Sequence, residues 1–164
     1  MSTIDYLAQS VIPAASSLLP VAMTSTQATA MLLAIALQES KAAARRQGGE
    51  GPARGFWQFE VSGVAGVRLH HATQEYVRDV LETLCYAPKS THRALQLALT
   101  DNDVLACVFA RLNLWWLPAP LPGPDHQAEG WRQYLEAWRP GKPHPETWPE
   151  HFAQAWALVN RTDP

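Results

Sequence analysis

Residues 32–60 read LLAIALQESKAAARRQGGEGPARGFWQFE, and the reading of this stretch decides the fold. At 100° per residue, Ala28, Leu32, Ile35, Ala36, Glu39 and Ala43 share one helical face. All but Glu39 are apolar, and alanine, the best helix former, recurs through the segment. The spacing predicts a helix from an N-cap at Thr24, Ser25 or Thr26 to about Arg46. Inside it a carboxylate takes a core position. Loss of water disfavours the charged form and raises the carboxyl pKa, the condition of a general acid near neutral pH. The competing reading is a structural ion pair of Glu39 with Arg45, Arg46 or Arg54.

Gln47-Gly48-Gly49-Glu50-Gly51-Pro52 is a breaker cluster and reads as loop. Ala53-Arg54-Gly55-Phe56-Trp57-Gln58-Phe59-Glu60 then puts a glycine, three aromatics, an amide and a carboxylate into eight residues. ALQES, a loop, then GPARGFWQFE resembles the lysozyme-like superfamily, in its soluble lytic transglycosylase and goose-type lysozyme branch. Glu39-Ser40 takes the position of the branch's catalytic Glu-Ser. Gly55-Phe56-Trp57-Gln58 takes that of its Gly-Leu-Met-Gln, with Trp57 where Met is usual. WQFE together with the later WRPGKP looks most like small tailed-phage proteins of this type.

The resemblance implies an all-α, lysozyme-like single domain over residues 1–164, with the catalytic segment at 26–60, acting on the glycan strands of peptidoglycan. It implies Glu39 as the acid that protonates the leaving oxygen and then, in a transglycosylase, as the base that yields a 1,6-anhydro product. A hydrolase would need water activation, for which Glu60 is the second carboxylate. The alternative for Glu60 is pairing with Arg54 or Arg68. Ser40, Gly55, Phe56, Trp57 and Gln58 are the expected substrate-binding residues, with Ser40 holding the helix end and Gln58 positioning sugar or backbone. Trp57 offers a flat aromatic face to a sugar ring in one reading and belongs to the core in the other. No cofactor or metal is expected, and a monomer is.

Composition sets bounds on the rest. The chain has 164 residues, 47% of them hydrophobic and 17% charged, which is a globular balance. A net charge of −2 argues against nucleic-acid binding. No apolar run is long enough for a membrane span, so no membrane insertion is expected. No signal peptide is read at the N-terminus, where no basic region precedes the apolar stretch. The expected location is therefore host cytoplasm or a phage virion. Cys85 and Cys107 sit in apolar helical contexts and are expected as free, buried thiols.

Along the chain, Ile4, Leu7, Val11, Ala15 and Leu18 stand at helical spacing in a segment that Pro13 interrupts or bends and Pro20 closes. Residues 61–67 read as loop and short helix. Thr73 caps a helix through Tyr86, and Ser90 or Thr91 starts another over His92–Leu99. His70 and His71, being adjacent, are expected to point apart. Asp101-Asn102-Asp103 caps an apolar helix from Val104 to Leu117 whose inner face carries Arg111. That arginine meets Glu39 across a cleft, or packs its stem and sends its head to water. Ala110-Arg111-Leu112-Asn113 departs from the Ala-Tyr-Asn segment of the transglycosylase branch by lacking the tyrosine. Residues 118–124 form a proline-rich turn. Helices follow at Ala128–Trp138 and, with Pro145 as first residue, through Val159. Of the seven tryptophans, Trp57 is the site candidate and the other six are assigned to the core.

Two function classes follow. One is a peptidoglycan-cleaving glycosidase; the other is a phage virion or assembly protein that retains the fold and acts by binding. Motifs for nucleotide binding or a serine nucleophile elbow are missing from the sequence.

Overall fold

A computed structural model describes residues 1–48 and 50–162, and Gly49 of the breaker loop lies outside them. Its helices are α1 (Thr3–Tyr6), α2 (Ile12–Ser17), α3 (Thr26–Ser40), α4 (Val61–Leu69), α5 (Gln74–Thr83), α6 (His92–Asp101), α7 (Asp103–Trp115), α8 (Gln127–Trp138) and α9 (Trp148–Thr162). No strand occurs among the described residues; two isolated bridges, Arg46 with Arg54 and Arg54 with Phe59, are all the β-pairing there is. The all-α expectation therefore holds. Among the described residues no helix is long and apolar enough to cross a membrane.

α3 is the axis of the molecule. Ala28 and the whole run from Ala30 to Leu37 are buried. It has no solvent face to contrast with a core face, and a helix apolar on all sides must be covered on all sides. α9 packs along it most extensively, while α7 and the segment Leu7–Val11 take other flanks. The buried side chains form one apolar cluster from Ile4 to Val159.

Side-chain caps start three of the longer helices, whereas the expected cap Thr73 makes no capping bond and its helix ends at Thr83 rather than Tyr86. Ser25 accepts from Ala28 N at 3.0 Å, Thr91 from Ala94 N at 3.1 Å and Asn102 from Leu105 N at 2.9 Å, each satisfying an orphan donor of a first turn. The first segment is continuous rather than broken. A π-helical stretch, Leu7–Val11, precedes Pro13, which then sits in the first turn of α2. The wider turn removes the need for the amide hydrogen that proline lacks.

Several sequence readings need correction. α3 ends at Ser40, not near Arg46, because Lys41 (φ 54°) and Ala42 (φ 49°) are left-handed. Alanine propensity cannot register that stop, because a tertiary tie makes it. Residues 61–69 are helical in spite of Gly63 and Gly66, with Val64 and Val67 buried. The last helix begins at Trp148 with Pro149 in its first turn, so Pro145 belongs to the preceding loop. His70 and His71 do not diverge: α4 ends at His70, whose backbone turns extended, and the two rings stack at 4.4 Å.

The two thiols differ. Cys107 is buried, and burial pushes its pKa up, whereas Cys85 is exposed in a left-handed turn (φ 60°) after α5. Both are free. One thiol is therefore expected to react with an aromatic disulfide reagent in the native protein, and the second only on unfolding. Cys85→Ser should abolish the native reaction. Two equally fast thiols in the folded protein would contradict this placement.

Candidate functional site

Glu39 stands on the last turn of α3, where the helix leaves the core, and is half-buried. Its Oε1 accepts a hydrogen bond from the Tyr134 phenol on α8 at 2.6 Å. Its Oε2 accepts none among the described residues. Desolvation raises the carboxyl pKa to about 7, and the Tyr134 bond opposes that rise. The ion pair anticipated with Arg45, Arg46 or Arg54 is not formed. Arg45 instead makes a two-pronged pair with Asp103, at 2.7 Å for each bond, and stacks 4.4 Å over the Phe56 ring. Arg54 donates to Gly51 O and Ala53 O. A half-buried carboxyl with no cation, one phenol partner and one oxygen without a protein donor can hold a proton near neutral pH.

Tyr134 itself is buried, and burial together with the Glu39 charge keeps its phenol protonated. Its ring lies parallel to Trp148, with centroids 5.4 Å apart and planes at 14°. The phenol oxygen is thus aimed by packing. Tyr134→Phe should leave the fold intact at a cost of about 1 kcal/mol. It removes a bond that favours the ionised form, so the Glu39 pKa should rise above its present value of about 7. A carboxyl-carbon NMR titration reads this directly, and the alkaline limb of any rate profile should move the same way. An unmoved or lowered midpoint would mean that the bond does not set the proton affinity.

The turn after the loop is a support for this carboxyl. Arg54 and Phe59 exchange backbone bonds at 3.0 and 2.8 Å, and Gln58 N reaches Gly55 O at 3.0 Å. Gly55 is left-handed (φ 73°), and a Cβ there would come within 2.9 Å of Leu99 O. Glycine is required by the turn and by the approach of α6. Ser40 Oγ donates to Phe56 O at 2.8 Å and to Ala36 O at 3.0 Å, tying the end of α3 to the turn. Gln58 (φ 50°) donates its amide to Gly55 O at 2.8 Å.

Four expected substrate contacts are therefore structural. Ser40 commits its proton to backbone carbonyls. Gly55 shapes the turn and Phe56 is fully buried. Trp57 is also fully buried: its indole donates to Leu32 O in α3 at 2.9 Å, and its carbonyl accepts from Trp138 Nε1 at 2.9 Å. It has no free face for a sugar. Gln58 is half-buried, and its side-chain nitrogen holds the turn. Glu60 is exposed at the N-cap of α4, forms no side-chain capping bond, and contributes nothing to the Glu39 pKa shift. Neither the pair with Arg54 nor that with Arg68 forms, since Arg68 donates to Ser90 O and Pro88 O.

Arg111 does not meet Glu39 and does not snorkel. It is buried, donates Nε to Met23 O at 2.7 Å, lies over Trp115, and burial lowers its pKa to about 10. Two open hollows, of about 560 and 620 Å³, are lined around Tyr6, Tyr86 and Asp103 and around Arg68, Val77 and Leu81. Neither is lined by Glu39. Asp103 in the first is already paired with Arg45, so the titrating chemistry stays at Glu39.

Sequence reading missed Tyr134 and the Gln38 network beside it. Gln38 Nε2 donates to His144 O at 3.0 Å, and its Oε1 meets Thr147 Oγ1 at 3.1 Å and His151 Nδ1 at 2.8 Å. An amide oxygen can only accept, so His151 carries its proton on Nδ1. This network fastens the loop 139–147 and α9 to the helix that carries Glu39. The available signal was the i, i+3, i+7 spacing of Trp131, Tyr134 and Trp138 on α8, which reads equally well as core.

Searches of family models, curated proteins and solved structures find no match to this chain.

Proposed function

We propose that the chain is a peptidoglycan-cleaving glycosidase, of lysozyme-like type and phage-derived, with Glu39 as its single general acid and base. The observation that carries this reading is a half-buried carboxyl with a pKa of about 7, one phenol partner and one oxygen without a protein donor. Glu39 protonates the β-1,4 glycosidic oxygen, and the C1–O bond breaks as oxocarbenium character develops on the sugar. Retaining hydrolases hold a second carboxylate about 5 Å away. A charge that close would raise the Glu39 pKa further, yet burial alone accounts for the rise. A single carboxyl favours the intramolecular outcome. The C6 hydroxyl attacks C1, the Glu39 carboxylate takes its proton, and a 1,6-anhydro sugar forms with no water consumed.

Purified protein should clear peptidoglycan in a zymogram, and mass spectrometry of the products should find anhydro ends. Reducing ends in their place would assign hydrolysis and bring a water-activating group into play. A folded protein that releases no muropeptide from several wall types would favour the binding-protein reading. That reading draws on the missing tyrosine at Ala110–Asn113 and on the commitment of Arg111 to Met23.

A further inference from the structure

We propose that Trp131 and Trp138, on the two sides of Tyr134, form a pair of sugar-stacking subsites for a β-1,4-linked N-acetylhexosamine strand, with the bond to be cut held between them at Glu39. The proposal rests on the glycosidase reading and names where its substrate lies. Residues 131, 134 and 138 fall along one side of α8, and seven residues of helix span about 10 Å, comparable with two linked pyranose rings. The aromatic row is continuous: ring centroids are 5.2 Å apart from Trp131 to Tyr134 and 6.3 Å from Tyr134 to Trp138. Its middle ring is buried and carries the phenol bonded to Glu39, whereas both outer rings are partly exposed.

The outer rings are also held in place. Trp138 is fixed by its indole bond to Trp57 O at 2.9 Å and by the Phe59 ring at 5.8 Å. Trp131 leans on Trp148 at 5.7 Å, is partly exposed, and has no acceptor for its indole N–H among the described residues. A flat, rigid apolar face beside an open N–H donor suits the face of a hexosamine ring and one of its hydroxyl or acetamido oxygens. Fully buried Trp57 and Trp148, by comparison, both have their N–H groups bonded to carbonyls.

The test uses linear, uncross-linked peptidoglycan strands. Binding is measured by calorimetry in a Glu39→Gln background, and KM is measured in the parent. Trp131→Ala should weaken binding about tenfold or more, as expected for loss of an aromatic anchor, and raise KM with kcat less affected. Trp131→Phe, which keeps a stacking face, should stay close to the parent. Trp131→Leu keeps apolar contact with Trp148 but offers no flat face, so it should bind as poorly as alanine even if alanine lowers the melting temperature. Equal affinity for strands in the leucine and parent proteins would overturn the subsite assignment and leave the glycosidase reading standing. A parent that neither cleaves nor binds the strands would remove both.

Discussion

Glu39→Gln should abolish peptidoglycan cleavage, by at least ~10² in rate, and leave a protein that folds as well as the parent or better. The substituted amide keeps the shape, and its Oε1 can still accept from Tyr134, so the geometry of the site survives. What is lost is the transferable proton. The stability gain has a definite pH window. A carboxyl whose pKa is raised from 4.5 to about 7 on folding binds more protons folded than unfolded in that interval. Parent stability must therefore fall as pH rises from about 4.5 to about 7, by roughly 3 kcal/mol in all. The glutamine protein lacks this loss. Melting curves of the two should nearly coincide near pH 4 and separate by several degrees at pH 8. The same proton governs activity, so kcat/KM of the parent should decline as pH rises through about 7. Curves that stay parallel across the range would show that Glu39 is not desolvated as the structure has it. Substantial cleavage by the glutamine variant would remove Glu39 as the acid.

Trp57→Ala should be the most damaging substitution in the loop segment, and the damage should be to stability. Removing a fully buried indole leaves a cavity and costs about 3–5 kcal/mol. It also takes the donor from Leu32 O and loosens the turn whose carbonyl holds Trp138. For a chain of this size the melting temperature should drop by about 10 °C. Glycan affinity, measured where the variant is still folded, should change far less than in Trp131→Ala. A melting temperature that hardly moves, with glycan affinity lost, would return Trp57 to the binding surface.

The Trp57 and Trp131 pair illustrates what a sequence can convey about aromatic residues. Trp57 sits among loop residues next to a glutamine, which reads as exposed and functional. Trp131 sits at helical spacing with Tyr134 and Trp138, which reads as core. The structure buries Trp57 completely and leaves Trp131 packed against the core but only partly covered, since burial is decided by what packs over a residue. Over Trp57 lie the α3 backbone and α8, whereas Trp131 is covered only in part, by Tyr134 and Trp148.

Periodicity, caps and breakers determined most of the helices: Ser25, Thr91 and Asn102 each bond the amide expected of a cap within three residues of themselves. The sequence alone also placed a carboxylate on the apolar face of a helix, where desolvation acts on it. Those signals are local, carried by neighbours one or two turns away. Only the tertiary structure supplied Tyr134, which lies 95 residues from Glu39 in the chain. Only it ended α3 at Lys41, where the Ser40 bond to Phe56 O stops a run of alanines that by propensity would continue. Propensity and period are properties of a segment, whereas a hydrogen bond between distant segments exists only after packing has brought them together.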